Sequence, residues 1–341
     1  MKRWVAPGAA RNSGADSIPG ATLTQTAALP STIDGVVLLD KPVGITSNSA
    51  IQRVKRLFHA AKVGHVGTLD PLASGLLPVC LGEATKFSTI TFGVDKSYHA
   101  EILLGVTTTT GDTEGEVTSR RAVAVTREQI AATLQRFTGA VEQTPSMYSA
   151  LKRDGKPLYA YARAGQTVAR KPRSVTIHAI ALQGFAAERL TVDVRCSKGT
   201  YIRVLAEDIG RALGCGATLA GLRRTSVGTL GLEHAVTLAQ LETLPAAQRP
   251  TCLLPVDSLV SALPALILEA ELVRRMLTGQ AGQVEAQGRT GLVRLYDHSR
   301  RFLGLGELES GGRLAPKRLL AMAAVGLAGG CGETLQASKI A

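Results

Sequence analysis

The stretch "GHVGTLDPLASGLLPVCLGEATK", residues 64–86, holds an aspartate followed at once by a proline. Its reading decides what lies at the centre of the chain. In one reading Asp70 caps a helix that begins at Pro71 and runs through "LASGLL". The carboxylate would then accept from the free N–H groups of the first turn, and proline would fill the first helical position. In the other, Asp70 is a carboxylate displayed on a tight, glycine-rich loop where it can do chemistry. These residues alone leave both readings open. At the far end of the stretch, Glu83 and Lys86 suit an ion pair at a helix end, which is a structural role.

Working outward, "DGVVLLDKP" predicts a short buried strand over Val36–Leu39 that ends in a turn at Lys41 and Pro42. "TSNSAIQRVKRLFHA" predicts a helix with Ile51, Val54, Leu57 and Phe58 on one face and Ser47 or Asn48 as its cap. Its basic face, with Arg53, Lys55 and Arg56, reads as a solvated one. "KSYHAEILLGV", from Lys96, alternates as a strand with Tyr98, Ala100, Ile102, Leu104 and Val106 on one side. "TREQIAATLQRF" carries a capping box, Thr126 with Gln129, ahead of an Ile130, Leu134 and Phe137 stripe. In "RLTVDVRCSKGTYIRVLAEDIGRALG" a strand bearing Leu190, Val192 and Val194 turns at Ser197-Lys198-Gly199. A helix follows from about Thr200, which sets Tyr201 and Arg203 in its first turn at the end of a strand.

At 341 residues the chain is long for a single domain, and a 45% hydrophobic content is ample for a sizeable core. Residues 1–33 lack any apolar period and read as a disordered tail without a secretory signal. Residues 326–341 read as a frayed end. Short strand-like pieces separated by glycine suggest a small β-barrel over about residues 264–325. Between residues 148 and 175 lies the basic segment "YSALKRDGKPLYAYARAGQTVARKPRSV"; a long basic stretch inside a folded domain is commonly functional, although a surface linker would look similar.

Thirty-nine Lys and Arg against 27 Asp and Glu leave a net charge of +12, which points to a polyanion, most often nucleic acid. Aromatic residues make up only 4%. Phosphate contacts and shape, rather than extended base stacking, would therefore carry affinity. The five cysteines are odd in number and form no CxxC pair, which argues against a disulfide framework and a structural zinc site and fits a reducing, cytoplasmic setting. No apolar run is long enough to span a membrane. The histidines do not fall at metal-ligand spacing, and no glycine-rich phosphate loop occurs, so neither metal nor cofactor is expected.

What remains is a set without a cofactor: His65 and Asp70 on the opening loop, Tyr98 on a strand, Tyr201 and Arg203 at a helix start. The set is chemically complementary. A carboxylate in a partly apolar cleft needs a cation to stay ionised, and a guanidinium supplies one through a fork of donors. A nucleophilic or proton-abstracting aspartate needs that ionised form. A tyrosine ring can stack on a base while its hydroxyl reaches a proton. A histidine on a glycine-flanked loop can fill the space that an extruded base vacates. Each residue also has a plainer reading as a core ring, a loop polar group or a surface cation, and spacing alone does not bring them together.

In "LLDKPVGITSN", "GHVGTLDPLASGLLPVCLGEATK", "KSYHAEILLG", "TPSMYSALK" and "CSKGTYIRVLAEDIG", in that order along the chain, the sequence resembles the TruB family of tRNA pseudouridine synthases. The closing "GLVRLYDHSRRFLGLGELESGGRLAPKRLL" resembles that family's C-terminal PUA-like RNA-binding domain. The resemblance covers roughly residues 34–325. It implies an α/β (α+β) fold with a largely antiparallel mixed sheet flanked by helices over residues 34–258, then a small PUA-like β-barrel. It implies isomerisation of uridine-55 in the tRNA T-loop to pseudouridine, without metal, redox partner or cofactor. Asp70 then matches the catalytic carboxylate and Arg203 its partner. His65 matches the residue inserted where the base flips out, and Tyr98 the stacking ring and candidate base. Tyr201 and Leu222 match residues around the target base, and Lys41 and Pro42 a supporting loop. Residues 148–175 match a thumb-like insertion that closes over RNA. The implied partner is the tRNA T-stem-loop, with no membrane and, by default, a monomer. A synthase with another RNA target, or an RNA chaperone without catalysis, stays compatible with these residues.

Overall fold

The computed structural model describes residues 33–91, 93–149 and 151–321, so the expected tail and frayed end lie outside the described residues apart from Ile33. Its centre is a ten-stranded mixed sheet. From one edge, the order runs Val236–Thr237, Gly35–Lys41, Ala73–Leu81, Ala217–Val227, Lys96–Leu104, Arg189–Cys196, Arg173–Ala186 and Gly139–Gln143. Two short strands join from the side, Val63–His65 on Ala73–Leu81 and Leu230–Gly231 on Ala217–Val227. The pairing of Val236–Thr237 with Gly35–Lys41 is parallel, as is that of Ala73–Leu81 with Ala217–Val227, and the others are antiparallel. The sheet is thus the largely antiparallel mixed one expected.

The alternation read from Lys96 places Tyr98, Ala100, Ile102 and Leu104 on the buried face, and Leu190, Val192 and Val194 lie beside them. Burial of these branched side chains against the helices stabilises the sheet at about 25 cal/mol per Å² of apolar surface. The helix Ile202–Ala212 packs Ile202, Leu205 and Ile209 into the same core, and Arg127–Arg136 adds Ile130 and Leu134 behind its capping box.

Two local expectations are corrected. Asp70 does not cap a helix, because the residues after it turn at Pro71-Leu72 and enter the strand Ala73–Leu81. Each residue from Gly75 to Leu81 faces one from Gly35 to Lys41, and that continuous ladder, formed with a distant segment, outweighs the local capping signal. The helix Ser47–Leu57 is capped by Thr46, whose side chain accepts from the Ser49 N–H, rather than by Ser47 or Asn48. Ser47 is occupied elsewhere, clamping the backbone of Leu69.

The C-terminal pieces form a five-stranded sheet in the order Ala265–Ile267, Gly291–Tyr296, Phe302–Leu308, Arg313–Leu319, Gly282–Gln283, curled as a half-barrel. Met276, from the helix Ala270–Leu277, closes its core with Leu295, Leu303 and Leu314. Phe87 and Phe302 meet with ring centroids 5.5 Å apart, which ties the half-barrel to the main sheet. The Glu83–Lys86 pair forms at 2.7 Å in the short helix Gly82–Lys86. It also reaches across: Lys86 donates to the Leu319 carbonyl at 3.1 Å, and Glu83 accepts from the Ala321 N–H at 2.6 Å. No helix among the described residues is long and apolar enough to cross a membrane.

Gly75 is a point of close backbone approach in this frame. It has φ +98°, and a Cβ there would stand 2.3 Å from the Arg224 carbonyl oxygen and 2.8 Å from its nitrogen. Both the left-handed backbone and the backbone clash resist any side chain. Gly75→Ala is expected to lower unfolding free energy by about 2 kcal/mol or more, read as a lower urea midpoint. An unchanged midpoint would mean that the two strands separate here without penalty.

Candidate active site

The loop that leads to Asp70 is held from three sides. From below comes Arg224, which lies on the central strand and is 1% exposed. Its Nε donates to the Leu76 carbonyl at 2.7 Å, and its Nη2 donates to the Gly67 carbonyl at 2.8 Å and, at longer range, to that of Val66. From the side, the Ser47 hydroxyl both accepts from the Leu69 N–H and donates to the Leu69 carbonyl, each at 2.8 Å. From above, the Gly44 N–H donates to the Pro71 carbonyl at 2.8 Å. Gly67, with φ +76°, lets the loop pass over the Arg224 guanidinium, where a Cβ would sit 3.0 Å from Nη1.

The carboxylate so placed meets Arg203, whose Nη2 stands 3.0 Å from Asp70 Oδ2. Arg203 is 6% exposed and Asp70 46%. The same guanidinium pairs through Nη1 with Asp112 Oδ2 at 3.2 Å, and donates to the carbonyls of Thr110 at 3.2 Å and Tyr148 at 2.8 Å. Asp112 is held in turn by the Thr110 hydroxyl at 2.6 Å and the Glu114 N–H at 3.2 Å. One buried cation therefore serves two carboxylates, of which Asp70 alone opens to the cleft. Burial raises the Asp70 pKa above the ordinary aspartate value, with Asp112 adding to the rise, while Arg203 and Lys41 pull it down.

The cleft beside Asp70 has a volume of about 360 Å³. Tyr98 and Leu222 line it from neighbouring strands, and Tyr201 from the start of the Ile202–Ala212 helix. Ser149 and Leu151 reach it from the basic segment. Tyr201 is positioned through its backbone, since the Gln143 amide donates to its carbonyl at 3.2 Å and accepts from its N–H at 3.0 Å. Tyr98 is 8% exposed, and burial raises its pKa, so the hydroxyl is neutral near pH 7. The cleft is lined by two tyrosine rings, by apolar side chains that include Leu151 and Leu222, and by one carboxylate, an arrangement that suits a flat ring entering edge or face on.

Asp70, Tyr98, Tyr201, Arg203 and Leu222 are thus brought together. Two other residues from the sequence reading are not in the cleft wall. His65 ends the strand Val63–His65, its Nδ1 enclosed without a hydrogen-bond partner among the described residues, and its pKa is lowered by burial and then by Arg224. Lys41 is fully buried behind the loop, donating to the carbonyls of Pro42 and Ile45 at 2.8 Å each. Burial brings its pKa down to about 8, with Asp70 pulling the other way. Sequence reasoning missed Arg224, Asp112, Ser47 and Gln143. For Arg224 a signal existed, because it stands two residues after Leu222 and so faces the same way on a strand. Among the described residues no group of His, Cys, Asp and Glu is placed to hold a metal ion.

Three family models match the chain in succession. They describe the TruB family pseudouridylate synthase N-terminal domain, residues 55–202, the tRNA pseudouridylate synthase B C-terminal domain, residues 203–261, and the C-terminal part of pseudouridine synthase II TruB, residues 264–320. The tRNA pseudouridine synthase B of Methylobacillus flagellatus is 55% identical over 291 residues, covering 85% of this chain and 96% of that protein. That of Dechloromonas aromatica is 54% identical over 291 residues, 85% of this chain and 97% of its own length. Among solved structures, a chain of a Cbf5-Nop10-Gar1 complex matches with a TM-score of 0.63 at 26% identity, covering 82% of this chain and 79% of its own. With identity above half along nearly the whole length of these relatives, the chain belongs to the TruB family of pseudouridine synthases.

Proposed function

We propose that this protein isomerises the T-loop uridine of tRNA, uridine-55, to pseudouridine, with Asp70 as the catalytic carboxylate. The observation that carries this reading is the Arg203–Asp70 pair at the floor of a cleft walled by Tyr98 and Leu222. The relatives named as tRNA pseudouridine synthase B support the choice of tRNA. A uridine inside folded RNA cannot reach such a floor, so it must leave its stack and enter base first. Tyr98 then stacks on the uracil, Leu222 covers it and Tyr201 bounds the sugar side. His65 stands beside the loop as the group that fills the vacated stack. Residues 148–175 act as the thumb-like insertion over the RNA, and the half-barrel within residues 264–325 adds RNA affinity away from the chemistry.

The reaction moves one glycosidic bond. The C1′–N1 bond breaks, the uracil turns while held between Tyr98 and Leu222, C5 bonds to C1′, the C5 proton leaves and N1 takes up a proton. Whether Asp70 engages C1′, C6 or the C2′ proton, it must be ionised to begin. Arg203 favours that form and orients the carboxylate, and Asp112 keeps Arg203 from turning away. No electron acceptor enters this balance, because product and substrate are isomers.

In single-turnover tritium release from C5-labelled uridine in a T-stem-loop RNA, the intact protein should release label and Asp70→Asn should lose at least about 10³-fold in rate while still binding RNA. Release by Asp70→Asn at an undiminished rate would sink the assignment, and no release by the intact protein would turn the reading towards RNA remodelling or another target. The pH profile follows from the same carboxylate. Its pKa is raised, so it is ionised at high pH and protonated as pH falls through a value above that of free aspartate. The acid limb of the single-turnover rate should therefore lie above the ordinary aspartate range; a limb at or below it would contradict the burial argument. Tyr98→Phe keeps the ring but removes the hydroxyl, so RNA affinity should hold while the rate falls by about tenfold or more; unchanged turnover would remove the hydroxyl from the proton path.

A further inference from the structure

We infer that Arg173 binds the RNA backbone at the mouth of the cleft, taking one phosphodiester that flanks the flipped uridine; this rests on the isomerase reading above. Three arginines line the cleft, and they have different fates. Arg203 is held by two carboxylates and two carbonyls. Arg224 is sealed under the loop, committed to carbonyls there. Arg173 has no carboxylate partner among the described residues and donates through Nη2 to a single carbonyl, that of Gly199. Its Nε–H is enclosed with no acceptor.

The way Arg173 is held suits an anion. It is the first residue of the strand Arg173–Ala186, where the basic segment returns to the sheet. Its guanidinium lies over the Tyr201 ring, 4.8 Å from the centroid. The ring holds the guanidinium by its face without neutralising it, and Nη1 makes no hydrogen bond among the described residues and is not enclosed. Gly199, with φ +82°, lies beneath; a Cβ there would stand 3.5 Å from the guanidinium carbon, so the turn and the guanidinium are in close contact. A guanidinium whose Nη1 is unpaired, positioned on a tyrosine beside the entrance, suits a phosphodiester oxygen. Its charge needs an anion, and the carboxylate of the cleft, Asp70, is already paired with Arg203. The sugar of the flipped nucleotide must remain joined to both neighbouring phosphates, and these stay at the mouth when the base goes in.

The test uses the intact protein, a T-stem-loop RNA, and copies of that RNA in which one phosphodiester at a time around the target is replaced by a neutral methylphosphonate. Dissociation constants are measured across a potassium chloride series for wild type, Arg173→Gln and Arg173→Lys, with tritium release followed in parallel. Wild type should lose roughly tenfold in affinity at one flanking linkage, and Arg173→Gln should lose about as much on the all-phosphate RNA, with a salt slope lower by about one. Arg173→Gln should lose nothing further from the neutral linkage that hurts wild type. Arg173→Lys should restore the salt slope but not the whole affinity, because it keeps charge without the fork. Equal sensitivity of wild type and Arg173→Gln at every linkage would overturn the proposal, as would a wild type indifferent to each flanking linkage, an outcome that needs no folded variant. If wild type binds but releases no tritium, the isomerase reading fails instead, which is a separate result.

Discussion

The buried guanidinium of Arg224 is the interaction on which the rest of the site depends. A charge removed from water is strongly unfavourable unless its donors are satisfied, and Arg224 meets carbonyls at Val66, Gly67 and Leu76 rather than a counter-ion. Burial accordingly lowers its pKa, with the neighbouring Tyr98 hydroxyl acting in the opposite sense. Those three carbonyls bracket the segment that carries Asp70. Because Arg224 belongs to the central strand, the loop that carries Asp70 inherits the rigidity of the sheet instead of the freedom of a surface loop. Gly67 and Gly75 follow from this: each lets backbone pass where a side chain would collide with Arg224.

The second constraint is electrostatic. Arg203 lies between Asp70 and Asp112, so the group carries one net negative charge. With Asp112 fixed by Thr110 and Glu114, the guanidinium cannot rotate to follow Asp70, and it presents a fixed edge instead. A carboxylate held at a fixed edge, yet raised in pKa by burial and by a second carboxylate, is both oriented and more basic than a free one. Removing Asp112 would relieve one of these effects while undoing the other. Arg203 thus orients Asp70 only as well as Asp112 holds Arg203.

Much of this was legible in the sequence where periodicity is local. The Lys96–Leu104 and Arg189–Cys196 strands, the Thr126–Gln129 capping box and the helix after Tyr201 all follow from patterns within a dozen residues. The failures share a cause. Asp70-Pro71 looks like a helix start because capping is a local signal, but the segment from Gly75 to Leu81 pairs with Gly35–Lys41, far away in the chain. Ser47 looks like a cap and clamps Leu69 instead, across 22 residues. Asp112 sits in "TTTTGDTEGE", which carries no period, and meets Arg203 only after the sheet has formed. Chemistry-bearing residue types were recognisable, whereas their partners were not, because partnership here is created by strand order.

Net charge shows the same limit from another side. A surplus of +12 points to a polyanion, yet counting cations does not say which of them touch it. Among the arginines of the cleft, Arg224 and Arg203 are consumed by the protein itself, one holding a loop and the other a carboxylate. Each is buried, and burial is what makes each useless for phosphate binding, since an anion reaching it would have to displace partners already in contact. A cation that serves the substrate must be half-exposed, oriented without a counter-ion, and next to the opening. Stacking on an aromatic ring meets all three conditions, because the ring face attracts the cation without neutralising it. Arg173 on Tyr201 meets them here, so a ring that lines the cleft also holds the charge at its rim.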